Sequence, residues 1–115
     1  MTNVPKIYIP NVGCHDFSGA EKFGTLTPIT SGALNLLGVG QLFRTFQPIV
    51  RESKKEDYIL ICGPNVVCAI LCSMFSIKHQ RLNVLLYSIG GDGKGRYKQR
   101  NLFFNNNENV GEFWK

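Results

Sequence analysis

Histidine is scarce in this chain. His15 and His79 are the only two, and they do not stand at zinc-finger spacing. The four cysteines, Cys14, Cys62, Cys68 and Cys72, form no CxxC pair. Without such ligand sets a structural zinc site is not expected. Paired catalytic carboxylates and a Ser-His-Asp triad also lack an adequate residue set. Gly91-Asp92-Gly93-Lys94-Gly95 has the spacing of neither a phosphate-binding Walker loop nor a dinucleotide fingerprint, so no cofactor is expected. The longest apolar run, Val66 to Ile77, is broken by Ser73 and Ser76 and is too short to span a bilayer. Met1 to Lys6 lacks the charged-then-apolar pattern of a secretory signal. These absences point to a cytoplasmic protein with no membrane partner. Its cysteines, Cys62, Cys68 and Cys72 in apolar runs, are expected to stay reduced and pack as small hydrophobes. No internal repeat is visible.

Charge is also sparse, at 18% of residues, but it is unevenly placed within a formal net charge of +5. Lys78, Arg81, Lys94, Arg96, Lys98 and Arg100 cluster in one stretch against the single acid Asp92. Lys94, Arg96, Lys98 and Arg100 alternate strictly, so in an extended strand they line one face. Mutual repulsion disfavours that arrangement, and an anionic partner is one reason for it. The other is a solvated edge strand whose lysines discourage sheet-to-sheet pairing. Tyr97 interleaves with the cations and is expected to face the core. Arg51 to Asp57 is nearly balanced in charge and reads as a solvated helix end and loop.

At 115 residues the chain has length for one domain with a real core. Ile7-Tyr8-Ile9 reads as a short strand ending at Pro10. Ser18 and Glu21 match a capping box that opens a short helix over Gly19 to Phe23, stopped by Gly24. Leu26 to Thr30 reads as a strand, and its Pro28 suits an edge. From Val39, Leu42, Phe43, Phe46, Ile49 and Val50 recur at helical spacing, with Pro48 as a kink and Arg44, Gln47 and Arg51 on the outer face. Tyr58 to Cys62 reads as a central strand buried on both faces. Gly63-Pro64-Asn65 turns into a helix over Val66 to Ile77, with Pro64 suited to its first turn. Leu82 to Ile89 is a further buried strand. Alternating strands and helices predict a three-layer α/β sandwich with a mainly parallel sheet, minimal and Rossmann-like, ending in a basic strand or hairpin. Residues 1–104 form the single domain. Residues 105–115 are a polar break and an aromatic tail, where Phe113 and Trp114 dock on the body or on a second copy, giving a homo-oligomer.

In such sheets ligands bind beyond the carboxyl ends of the strands. Asn11 to Ser18, Ser31 to Gly32 and Gly63 to Asn65 would meet there, with Gly90 to Arg96 beside them. The candidate ligand-binding residues are Asn11, His15, Asp16, Ser18, Ser31, Pro64, Asn65, Lys94, Arg96, Lys98 and Arg100. Asp16 and Ser18 also suit helix capping. Cys14 beside His15 is a poor nucleophile–base pair, because adjacent side chains in an extended loop diverge. Gly90-Gly91-Asp92-Gly93 looks like the GGDG that ends a strand in NAD kinases and diacylglycerol kinases. Lys94 stands where those families carry Thr, and a tight hairpin turn fits the residues better.

The stretch Pro10-Asn11-Val12-Gly13-Cys14-His15-Asp16-Phe17-Ser18-Gly19-Ala20-Glu21-Lys22-Phe23-Gly24 resembles small phage- and prophage-encoded proteins of unknown function. They share a strand, an H-D-[YF]-S loop and a short helix. The likeness extends through Asp57 to Gly63 and Asn83 to Ser88. It implies a viral or prophage origin and transfers no residue roles.

The expected function is binding of an anionic, phosphate-bearing small molecule, a nucleotide or nucleotide-derived signal, with sequestration as a mode of action. A nucleic-acid-binding accessory protein is the alternative, and a small nucleotide hydrolase or transferase using His15 and Asp16 is a third.

Overall fold

The structure is a computed structural model that describes residues 4–13 and 16–104. Its strands are β1 (Lys6–Val12), β2 (Thr25–Ser31), β3 (Tyr58–Leu60), β4 (Arg81–Ile89) and β5 (Gly95–Phe103), joined in one sheet in the spatial order β2-β1-β3-β4-β5. The helices are α1 (Val39–Glu52) and α2 (Asn65–His79), with a 3₁₀ turn at Ser18–Phe23. β1, β2, β3 and β4 run parallel, and β5 returns antiparallel on β4. The sheet is therefore mixed but mainly parallel.

The path explains the layers. From β1 the chain steps outward to β2, then reverses across β1 to β3 and on to β4. Right-handed crossovers put connections that step in opposite directions on opposite faces. One core accordingly joins Tyr8 and Ile59 of the sheet to Leu42 and Phe46 of α1 and Val67, Leu71 and Phe75 of α2. The other joins Ile7, Ile9, Leu60, Leu85 and Tyr97 to Phe17 and Ala20 at the 3₁₀ turn. The three-layer expectation thus meets a sheet with helices on one face and only this short turn on the other. The link from β1 to β2, residues 13–24, has room for little more.

Several local expectations change. β1 continues through Pro10 to Val12. β3 pairs with β1 only at Ile7 and Tyr8, so the donor that Pro10 lacks falls beyond that ladder. Ser18 does not cap the turn behind it. The cap position is Phe17, with no side-chain cap bond, and the Ser18 N–H instead donates to Asp16 Oδ1 at 2.9 Å. Asp16 therefore does the work assigned to Ser18, and Glu21 closes no capping box. Pro48 lies inside α1 on its exposed side, and the helix runs on past it.

Arg51 to Asp57 is not simply solvated, because Ser53 and Asp57 are buried. The Asp57 carboxylate accepts the Lys6 N–H at 3.0 Å, the Tyr8 hydroxyl at 3.0 Å and the Lys54 N–H at 2.8 Å. Burial, then the Asp57 charge, pushes the Tyr8 pKa up. Asn83 is wholly buried. It donates to Lys55 O at 2.7 Å and Asp57 O at 2.9 Å, and its Oδ1 accepts Arg81 Nε and Asn101 Nδ2, each at 2.7 Å. Both ends of this amide are satisfied, which is what keeps its burial from being costly.

α2 also closes α1. The Lys78 ammonium donates to Val50 O at 3.0 Å, to Ser53 O at 3.1 Å and to Arg51 O. These carbonyls lie at the C-terminal end of α1, the negative end of its dipole. No helix among the described residues is long and apolar enough to cross a membrane.

Candidate functional site

The strand order reverses between β1 and β3, and it is at the carboxyl ends beside such a reversal that open α/β sheets take their ligands. Gly63, at φ 83°, turns the chain out of β3 toward α2 in a conformation that disfavours any side chain. Its Cα side approaches Asn11, so that a methyl there would sit 3.7 Å from the Asn11 backbone oxygen. On the 3₁₀-turn face, beside this point, lies a cavity of about 370 Å³ lined by Asp16, Phe17, Leu60, Ile61, Cys62, Gly63, Tyr87 and Tyr97. That volume suits a small organic ligand.

The lining is aromatic with one carboxylate. Tyr87 and Tyr97 face each other across the β4–β5 ladder, with ring centroids 5.2 Å apart in an edge-to-face arrangement. Tyr97 is buried and rests against Gly19 of the 3₁₀ turn, as the core reading expects. Tyr87 is exposed and folds over Gly95, where a methyl would lie 1.6 Å from its hydroxyl oxygen. Gly95 is thus the space that lets Tyr87 lie flat at the cavity mouth. The Ser18 N–H holds the Asp16 carboxyl below the usual carboxylate range. Burial pushes the Cys62 thiol up to about 11 and that of Cys72 to about 12, and raises that of Cys68. All three are free and protonated at neutral pH, as expected of packed thiols.

The structure divides the candidate residues. Asp16 lines the cavity. Ser18, Ser31, Pro64 and Asn65 lie at the same sheet edge. The Asn65 and Val66 N–H groups lie in the first turn of α2 and have no acceptor within the helix. Asn11 is a fastener instead: its Nδ2 donates to Gly32 O at 3.1 Å, and the Thr30 hydroxyl lies 2.9 Å from its Oδ1. His15, with Cys14, lies outside the described residues, and so do Phe113 and Trp114.

The basic residues do not join this group as one. Lys94 sits in the β4–β5 turn, where Gly90 N–H donates to Lys94 O at 3.0 Å, Gly93 N–H donates to Gly90 O at 3.0 Å and Gly93 has φ 79°. This is the hairpin turn expected of the GGDG stretch. Arg96 pairs with Asp92 at 2.6 Å, and that guanidinium holds the Asp92 carboxyl below its ordinary range. Arg96, Lys98 and Arg100 oppose Ser88, Leu86 and Val84, so they lie on the helix face of the sheet. The cavity is on the opposite face. Lys98 and Arg100 also recede from the ligand edge as β5 runs back along β4. A site combining all four cations with the loops is therefore not formed.

Gly63 belongs to one of the loops the sequence places at the ligand edge, whereas Cys62 reads as a packed thiol and Tyr87 and Tyr97, which could stack on bases, read as core residues, so the sequence does not select these three as cavity-lining. The signal for Tyr87 was its alternation with buried Leu85, which places both on one face. A larger hollow of about 500 Å³ lies at the opposite sheet edge among Lys6, Glu52, Lys54, Glu56 and Asp57. Its buried carboxylate is already taken up by structural hydrogen bonds, and the cavity on the 3₁₀-turn face is the better site.

Residues 5–102 match the phage Pam3 gp32-like protein family. No curated protein and no solved structure matches the chain.

Proposed function

The chain belongs to the phage Pam3 gp32-like protein family, and from that premise we propose that it binds a nucleotide or nucleotide-derived signal without turning it over. The observation that carries this reading is the aromatic cavity beside the strand-order reversal, at the carboxyl ends of parallel strands where open α/β sheets take ligands. The lining presents rings and a carboxylate but no cation, which favours the base and sugar inside. Tyr87 offers a stacking face. Asp16, ionised at neutral pH, accepts N–H or O–H groups. The phosphate then lies outside, toward the open N–H groups of α2 and Lys94.

Binding is favoured over general-acid or thiolate catalysis because Asp16 has no proton to donate near pH 7 and the cavity thiol, Cys62, is protonated. In an infected cell's cytoplasm such a protein acts by sequestration. The test is calorimetric titration with nucleoside monophosphates and cyclic nucleotides, followed by mass spectrometry of the recovered ligand. One base class is expected to bind and return intact. Tyr87→Ala should weaken it by about 1–3 kcal/mol, the scale of one stacked base. Unchanged affinity in that variant, or no binding across the panel, would refute the assignment.

A further inference from the structure

We propose a second, separate interface: the helix-side row of β5 binds the backbone of single-stranded nucleic acid. Arg96, Lys98 and Arg100 are all exposed on that face. The only ion pair among the described residues is Arg96 with Asp92, so Lys98 and Arg100 have no carboxylate partner there. Alternate residues on a strand repeat every ~6.7 Å. That is close to the repeat of phosphates along an extended single strand, so successive cations can meet successive phosphates. Leu86 and Leu102 oppose Lys98 and Leu82 across the ladder on the same face and are 40% and 52% exposed. They give bases an apolar surface beside the row. A single straight row tracks one backbone, whereas a duplex presents two. The cations are offered to the backbone and the leucines make no base-specific hydrogen bond, so binding is expected to be largely independent of sequence.

Protection of a sheet edge also accounts for exposed cations on β5, and the experiment separates the two. The full chain is titrated against a fluorescein-labelled oligothymidylate by anisotropy, from about 50 to 200 mM salt. With three phosphate contacts, log affinity is expected to fall against log salt with a slope of about −2. Lys98→Ser with Arg100→Ser is expected to lower affinity at least ~10-fold at low salt and to flatten the slope, with the melting temperature unchanged. Lys22→Ser with Lys55→Ser removes the same charge elsewhere and should change affinity less than ~2-fold. Equal losses in both double variants, or a duplex bound as tightly as the single strand, would overturn the assignment. Tyr87→Ala, on the other face, is expected to leave oligonucleotide binding intact, so failure here is distinct from failure of the nucleotide site.

Discussion

His79 shows how much one side chain at a helix end can report. Ser53 Oγ donates to Val50 O at 2.6 Å and lies 2.8 Å from His79 Nε2. A hydroxyl has one proton, so the imidazole must be the donor, which assigns the Nε2–H tautomer. The ring packs against that of Phe75, with centroids 4.4 Å apart and the planes tilted by 50°. Burial, then the neighbouring Lys78 charge, lowers its pKa, and Asp57 and Glu56 oppose that shift. Between the lowered folded pKa and the ordinary value the unfolded chain binds more protons. Stability contributed here is complete above the ordinary histidine range and is lost as pH falls through the folded pKa. The melting temperature should therefore fall from pH 7 to about 5. His79→Gln keeps a donor for Ser53 and should flatten that part of the profile. An identical pH profile in the variant would remove His79 as its source.

At the scale of elements, most boundaries were legible in the sequence. The helical spacing of Leu42, Phe46 and Val50 is read directly as α1, and the apolar run from Tyr58 as the middle strand, although that strand stops at Leu60 and leaves Ile61 and Cys62 half-buried beyond it. What was not legible depends on tertiary neighbours. Asp57 looks like a solvated acid until Lys6, Tyr8 and Lys54 surround it. Tyr87 becomes a cavity wall only because β5 brings Gly95 beneath it. Of the four alternating cations, Arg96, Lys98 and Arg100 do lie on one strand face while Lys94 falls in the turn before it, and the row's place opposite the cavity follows from the pairing register with β4. Lys78 is a similar case, a surface lysine by sequence and the cap of another helix by contact. Lys78→Met keeps the apolar stem and removes the charge. It should cost about 1–2 kcal/mol, the upper range for a cation at a helix C-terminus. Urea unfolding measures it, and a loss within error of zero would mean that water satisfies those carbonyls equally well.

For the whole molecule, the three-residue β3 has a consequence for how the chain can be divided. β3 pairs with β1 at Ile7↔Tyr58 and Tyr8↔Ile59, and with β4 at Ile59↔Val84 and Leu60↔Leu85. The first three elements, β1, the 3₁₀ turn and β2, form a unit joined to the rest by a short ladder, by the Lys6 and Tyr8 hydrogen bonds to Asp57, and by the buried side chains of Ile7, Tyr8, Ile9, Phe17 and Ala20. The link between β2 and α1 is largely exposed. Cut there, the first piece becomes a donor strand for the second, and apolar burial rather than the ladder supplies the affinity. Fragments 1–35 and 36–115, co-expressed, should co-elute on size exclusion, whereas elution as two separate species would show that covalent linkage is required. Co-elution would make the sheet the joint product of two unequal pieces, of 35 and 80 residues, each completing the other.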